Sequence, residues 1–262
     1  MAIKTFEVHN IDSLLDGVRK TFTSFEQAVV WFRGHSNADF KLQSTVHRKG
    51  IPPNVEHNLA SMLIQKARLR YSSCPDQRDL AGWLSLMRHY GLATRLLDWT
   101  ESPLNAAFFA VGYDDEVKGP ADIWALSPCD LNKLFGKVER TMFDMSSPMV
   151  ERVLGGAFYD CVAESVFAVH SAEIDMRMLL QQSRFTIHGL VTPLQELPEA
   201  DQFLVRFIVP EAVRRHLSLE LLFAGLRLSN IFPDLGNLAI DLERQLFGEL
   251  IATPTALRTT ID

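Results

Sequence analysis

No apolar stretch in this 262-residue sequence approaches the roughly 18 residues needed to span a bilayer, and Met1-Ala2-Ile3-Lys4-Thr5 lacks the apolar core of a signal peptide. Cysteine is scarce: three residues, at 74, 129 and 161, with no CxxC spacing. An odd count without a leader points to reduced thiols and a cytoplasmic protein, each thiol acting as a small apolar side chain rather than a ligand or nucleophile. The eight histidines are scattered too, without an HxxxH or HxH pair, so no metal site is expected. No Lys/Arg run reaches five and the net charge is −6, so the electrostatic footprint of a general nucleic-acid binder is missing. A local basic groove stays open, because net charge does not describe a single cleft. Also missing are GxGxxG after a strand, GxxxxGK[ST], GxSxG and HExxH, which leaves the common dinucleotide, P-loop, α/β-hydrolase and zincin readings without a motif. No repeat and no low-complexity linker divides the chain, so one domain over residues 1–262 is expected.

What the sequence does hold is core material. Nearly half its residues are apolar, 47%, with seventeen Phe, which excludes bulk disorder. Ile11, Leu14, Leu15 and Val18 fall at helical spacing. Ser24 and Gln27 resemble a capping box before a short helix, and Val29 to Phe32 reads as a strand ending at Gly34. Helices are expected from Val55 to about Tyr71 and from Asp79 to His89, the second closed by Gly91. Ser102-Pro103 opens another as N-cap and first residue. Ala121 to Leu126, Ala163 to His170, Phe185 to His188 and Phe203 to Val209 read as strands. Ile174, Arg177, Met178 and Gln181 share a helical face, Pro210 starts a helix through Leu221, and a last one begins near Leu235. The irregular alternation points to an α+β fold: a small mixed or antiparallel sheet flanked by several helices.

Two segments concentrate polar chemistry. In Trp31-Phe32-Arg33-Gly34, Arg33 offers a planar five-donor fork suited to carboxylate or phosphate, and Gly34 allows a turn or the close approach of a ligand. An ion pair with a buried Asp explains Arg33 equally well. The second segment, read as a loop between two helices, packs His89, Tyr90, Thr94, Arg95, Asp98, Trp99 and Thr100 into twelve residues. Pairing of Asp98 with Arg95 or Arg33 is the structural alternative, and Leu96 and Leu97 read as core.

Phe32-Arg33-Gly34, then His89-Tyr90-Gly91-Leu92-x-Thr94-Arg95-Leu96-Leu97-Asp98-Trp99-Thr100-x-x-Pro103-Leu104-x-Ala106, resembles the FRG domain family. The resemblance continues through Arg177-x-x-x-Gln181-Gln182-x-x-Phe185-Thr186 and Leu226-x-x-x-x-Ile231-Phe232-Pro233-Asp234-Leu235, covering about residues 24 to 243. His35, Ala93 and Ser183 depart from the Gln, Pro and Gly usual at those places. The family is largely without an assigned activity, so the resemblance leaves three readings open.

One is an enzyme similar to ADP-ribosyltransferases, with NAD as substrate. Arg33 would grip pyrophosphate, Thr94 or Thr100 would orient the ligand, Tyr90 or Trp99 would stack on nicotinamide, and Gln181 or Glu164 would supply a late polar group. The second is a hydrolase or nuclease-like effector with His89 as acid or base, assisted by Tyr90, Arg95 and Asp98. The third is a non-catalytic module binding a nucleotide, another phosphate-bearing ligand or a protein through Arg33, Arg95 and Gln181. No cofactor beyond NAD as substrate is implied, and a role in bacterial defence or as a toxin fits the chain's size without a residue to support it.

Overall fold

Local capping chemistry sets many of the elements in the computed structural model, which describes residues 2–25, 29–72, 74–76, 78–112, 118–136, 142–145, 147–158, 164–170 and 176–251. Strand β1 (Lys4–Glu7) leads into helix α1 (Ile11–Phe25), which buries Leu14, Val18 and Phe25. Strand β2 (Trp31–His35) is followed by α2 (Thr45–Arg48), α3 (Pro53–Ala67) and α4 (Leu80–His89). Asp79 caps α4 by accepting the Gly82 amide at 2.8 Å. At its other end Gly91 takes φ +78°, and the Gly91 and Leu92 amides donate to the Arg88 and Met87 carbonyls. This paired closure needs a left-handed residue, which glycine supplies without steric cost.

Strand β3 (Leu96–Thr100) precedes α5 (Pro103–Val111), where the Ser102 hydroxyl accepts the Asn105 amide at 3.2 Å as the sequence implied. Then come β4 (Ala121–Leu126), α6 (Pro128–Gly136), β5 (Phe143–Asp144), α7 (Pro148–Phe158) and β6 (Val166–His170). The chain continues through α8 (Met176–Leu180), β7 (Ser183–His188), a 3-10 turn at Leu194–Glu196, α9 (Ala200–Phe203) and β8 (Leu204–Val209). Helices α10 (Glu211–Phe223), α11 (Leu228–Ile231) and α12 (Leu235–Ile251) complete it.

The fold is α+β. Its mixed sheet has the order β1-β8-β4-β2-β3-β7-β6-β5, with β1–β8 and β5–β6 parallel and the other neighbours antiparallel. Eight strands make it larger than the small sheet expected. The two edge strands carried little signal: β1 has no buried residue and β5 is two residues long. No helix among the described residues is long and apolar enough to cross a membrane.

Three expectations need correction. Residues 89–100 are not one loop, because Leu96–Thr100 is an inner strand. Leu97 and Trp99 pack with Trp31, Trp124 and Leu126, whereas Leu96 packs with Phe185 and Ile187 in a separate cluster, as the alternation of a strand requires. Ser24 lies in the last turn of α1 rather than before a new helix, and Gln27 is outside the described residues. The next strand spans residues 31–35 rather than starting at Val29. Ala163, Ile174 and Cys161 also lie outside the described residues.

Inside the sheet, β2 and β4 pair over five residues, as do β3 and β7, but β2 meets β3 at a single pair, Phe32 opposite Thr100. The sheet is therefore two four-stranded halves hinged at that pair and parted beyond it. On one side Phe32, Ile123, Ala125 and Phe207 pack under α1, α5 and α10; on the other, Trp31, Trp124 and Leu204 pack under α6 and α9. Each fully buried Phe, Ile or Leu among them contributes about 1.5–3 kcal/mol.

A buried polar string lies on the second side. The Trp99 indole N–H donates to Thr186 Oγ1 at 3.0 Å, and that hydroxyl lies 2.8 Å from His188 Nε2. Burial pushes His188 down to about 3, with His47 and Arg33 adding to the effect; His35 and His47 are lowered too, chiefly by burial. These residues are neutral when folded, while the unfolded chain takes up protons near pH ~6.5, so the stability they confer is present above that pH and lost as pH falls toward the folded values. Urea unfolding should show stability falling by about 2 kcal/mol from His188 alone between roughly pH 7 and pH 5. His188→Gln should flatten that slope; an unchanged slope would show that His188 is protonated in the fold.

Candidate functional site

The gap between the two half-sheets opens into a cleft of about 660 Å³. Its floor is β2 (Phe32 to His35) and β3 (Asp98 to Thr100); its walls are the end of α4 (Ser85, Arg88 to Gly91), Arg48 of α2, Phe109 of α5, and Arg177, Met178 and Gln181 at α8. The volume lies within the range of small-molecule sites.

Arg33 enters the gap from β2. Its Nη1 donates to the Asp98 carbonyl at 2.7 Å, where a continued β2–β3 ladder would have placed a backbone bond, and stands 3.6 Å from Asp98 Oδ2. Its Nε donates to His35 Nε2 at 3.1 Å. Arg88, in the last turn of α4, grips Asp98 from the other side: Nε bonds both carboxylate oxygens at 3.0 and 2.9 Å, and Nη2 also bonds Oδ2. Burial works to raise the Asp98 pKa, but Arg88 and then Arg33 outweigh it and hold the carboxyl below its ordinary value. Asp98 is thus an ionised clamp between two guanidiniums rather than a base awaiting a proton.

Four arginines line the cleft (33, 48, 88 and 177), and Asp98 is the one carboxylate among the lining residues. Burial pushes Arg33 down to about 10; Asp98 opposes the shift, while the like charges of Arg88 and Arg48 add to it. Arg33 remains cationic at neutral pH in a site with excess positive charge, which an anion would relieve. Arg177 lies 4.5 Å over the Phe232 ring on the far wall. Among the described residues neither Arg48 nor Arg177 has a carboxylate partner within ion-pair distance.

Of the residues singled out in the sequence, Arg33, Gly34, His89, Tyr90, Asp98, Trp99, Thr100 and Gln181 line the cleft. Their states differ. The Thr100 hydroxyl is spent, donating to the Gln181 carbonyl at 2.6 Å and accepting the Ser102 amide at 3.1 Å, so it ties β3 to α8. Gln181 Nε2 donates to the Ile231 carbonyl at 3.0 Å, and its side-chain oxygen takes no bond from a described residue. His89 and Tyr90 stand at the rim in edge-to-face contact, 4.8 Å between ring centres, with Tyr90 59% exposed.

Others do not serve as expected. The Trp99 ring is 2% exposed and tied to Thr186, so it belongs to the core and cannot stack on a ligand. Thr94 is fully buried and accepts the Leu96 amide. Arg95 is 2% exposed and closed in a buried ion pair with Glu56, Nε–Oε1 3.1 Å and Nη2–Oε2 2.6 Å, while its Nη1 donates to the Val153 carbonyl. Glu164 is exposed and off the cleft. Gly34 is small because α5 needs the room: a Cβ there would fall 1.9 Å from the Ala106 carbonyl oxygen.

Sequence reasoning missed Arg48, Arg88, Phe40 and Phe109. Arg88 carried a usable signal, since Ser85, Arg88 and His89 form a polar stripe at i, i+3, i+4 on a helix whose other faces are apolar. Arg48 and Phe40 carried none, because their segments reach the cleft only through the tertiary fold. No group of three or more His, Cys, Asp or Glu among the described residues could hold a metal ion.

The model of the FRG domain matches residues 28–118. This chain carries an FRG domain. The matched span holds β2, α4, β3 and α5, and with them Arg33, Arg88, His89 and Asp98. Residues 177–186, where the resemblance to FRG domains continues, lie outside the match, yet they form the opposite wall of the cleft. No curated protein and no solved structure matches the chain.

Proposed function

We propose that the cleft binds a phosphate-bearing nucleotide. The observation that carries this reading is the convergence of four guanidiniums on one cavity whose one lining carboxylate is already committed to two of them. Arginine forks match phosphate oxygens geometrically, and a partly buried site makes each contact stronger than in water. Phe40, Phe109 and Tyr90 line the same cavity and offer flat apolar surface for a base. Phosphates would sit among Arg33, Arg48 and Arg88.

Within this reading NAD is the substrate the cleft suits, in a reaction of the ADP-ribosyltransferase type. Nicotinamide leaves through an oxocarbenium-like state, promoted by holding the dinucleotide in place and by acceptors near the ribose. Asp98 is engaged, so the acceptor proposed for the ribose is the side-chain oxygen of Gln181, which takes no bond from a described residue. His89 at the rim would exchange a proton with the acceptor molecule or water.

Calorimetric titration with NAD, ADP-ribose and inorganic phosphate tests the binding, and release of free nicotinamide tests the chemistry. Arg33→Lys should weaken ADP-ribose binding about tenfold or more, because an ammonium cannot keep the Nε and Nη1 bonds while reaching a phosphate. Absence of binding by all three compounds would sink the nucleotide reading. Binding without nicotinamide release, with or without cell extract, would leave a nucleotide-binding module and remove the enzyme.

A further inference from the structure

Behind Arg33 runs a chain of polar groups, from His35 at the cleft floor to the buried Asp122 and on to Arg206. Arg33 Nε donates to His35 Nε2, so that nitrogen is unprotonated and the ring proton sits on Nδ1. Nδ1 stands 3.2 Å from Asp122 Oδ1 in a bent contact, and neither atom has a better-aligned partner. Asp122 is fully buried, and its other oxygen accepts Arg206 Nε at 2.8 Å. His35 itself is 5% exposed, and Phe40 packs edge-on against its ring. The charged groups facing it are Arg33 on its own strand, Asp122 on β4, Arg206 behind Asp122 on β8, and Arg48 on α2.

We propose that His35 is a positioning residue for anion binding: held by Asp122, its imidazole pins Arg33 at Nε so that the guanidinium keeps Nη2 for the ligand's phosphate. The proposal rests on the nucleotide reading. Two of the three guanidinium nitrogens are fixed, Nε by His35 and Nη1 by the Asp98 carbonyl, while Nη2 has no bond to a described residue. Fixing the plane of a flexible arginine before the ligand arrives removes ordering entropy from the binding step. The Asp122–His35 pair does for Arg33 what an outer carboxylate does for a ligating histidine, setting tautomer and direction. Burial lowers the His35 pKa, with Asp122 opposing, so the ring is neutral at pH 7 and can accept. A protonated ring would have no lone pair to offer and would repel the guanidinium.

Two variants separate the atoms. His35→Gln can place a carbonyl oxygen where Nε2 stands and keep the acceptor for Arg33. His35→Asn fills the Nδ1 side and leaves Arg33 Nε unpaired. With ADP-ribose as probe at about pH 7.5, His35→Asn should bind about tenfold more weakly than wild type and His35→Gln within about threefold. On acidification below the ordinary histidine range, wild type should lose affinity while His35→Gln holds its own, because the amide takes up no proton there and the diphosphate diester keeps its charge. Equal loss or equal retention in the two variants would overturn the positioning role, as would one shared pH profile for wild type and His35→Gln. Should His35→Asn fail to fold, the pH comparison still decides. Failure of wild type to bind ADP-ribose would instead overturn the nucleotide reading, and this proposal with it.

Discussion

Replacing Arg95 by alanine is expected to destabilise the fold by about 3–5 kcal/mol, the cost of leaving a buried charge without its partner. Glu56 is 1% exposed and takes both its charge-assisted bonds from this guanidinium, so its carboxylate would be stranded in the core. The Val153 carbonyl would lose its donor as well, loosening α7 from the start of β3. The defect lies in a closed pair away from the cleft, so any protein that still folds should bind ADP-ribose near normally. Urea unfolding checks the size of the loss. Arg95→Met with Glu56→Leu should recover most of it, because removing both charges leaves none to compensate. Should the single variant cost under about 1 kcal/mol, the pair would have to be hydrated rather than buried.

Gly34→Ala carries the second large effect. The added Cβ would stand 1.9 Å from the Ala106 carbonyl oxygen and 2.7 Å from the Ala110 amide nitrogen, and both are backbone atoms of α5. No side chain can rotate away, so the helix must shift or β2 must bend. A loss of at least about 3 kcal/mol is expected. Because α5 also carries Phe109 in the cleft wall and follows Thr100 directly, the same shift should weaken ADP-ribose binding. Gly50→Ala is the control: it sits at φ +62° with open space around it, so it should cost about 1 kcal/mol, from backbone strain alone. Comparable losses in the two variants would remove the argument from close approach.

These two sites show where reading the sequence stopped. Arg95 and Arg33 looked alike as candidates, each a lone arginine among aromatic and aliphatic neighbours. One is sealed against Glu56, 39 positions earlier, and the other opens on a cleft, and no local pattern encodes that difference. Gly34 drew attention for a sound reason, the need for close approach, but what approaches is α5 rather than a ligand. Asp98 was weighed against Arg95 or Arg33 as partner; its tightest partner is Arg88, ten positions back at the end of α4.

By itself the sequence determined the elements whose signals are local: α4 between Asp79 and Gly91, α5 behind Ser102-Pro103, strand Ala121–Leu126, the helix after Pro210, and the α+β class that their order implies. Caps, glycine closures and apolar periodicity act within a few residues, so they can be read along a line. The sequence also marked Arg33 and the stretch from His89 to Thr100 as the place to look. Only the tertiary structure decided which of those side chains meet. The parting of β2 from β3 after one pair, the inward turn of Arg33, Arg48 and Arg88, and the burial of Thr94, Arg95 and Trp99 depend on contacts between segments far apart in the chain. Burial and charge pairing are properties of the packed whole, and the same arginine is a strut or a clamp according to what the fold sets against it.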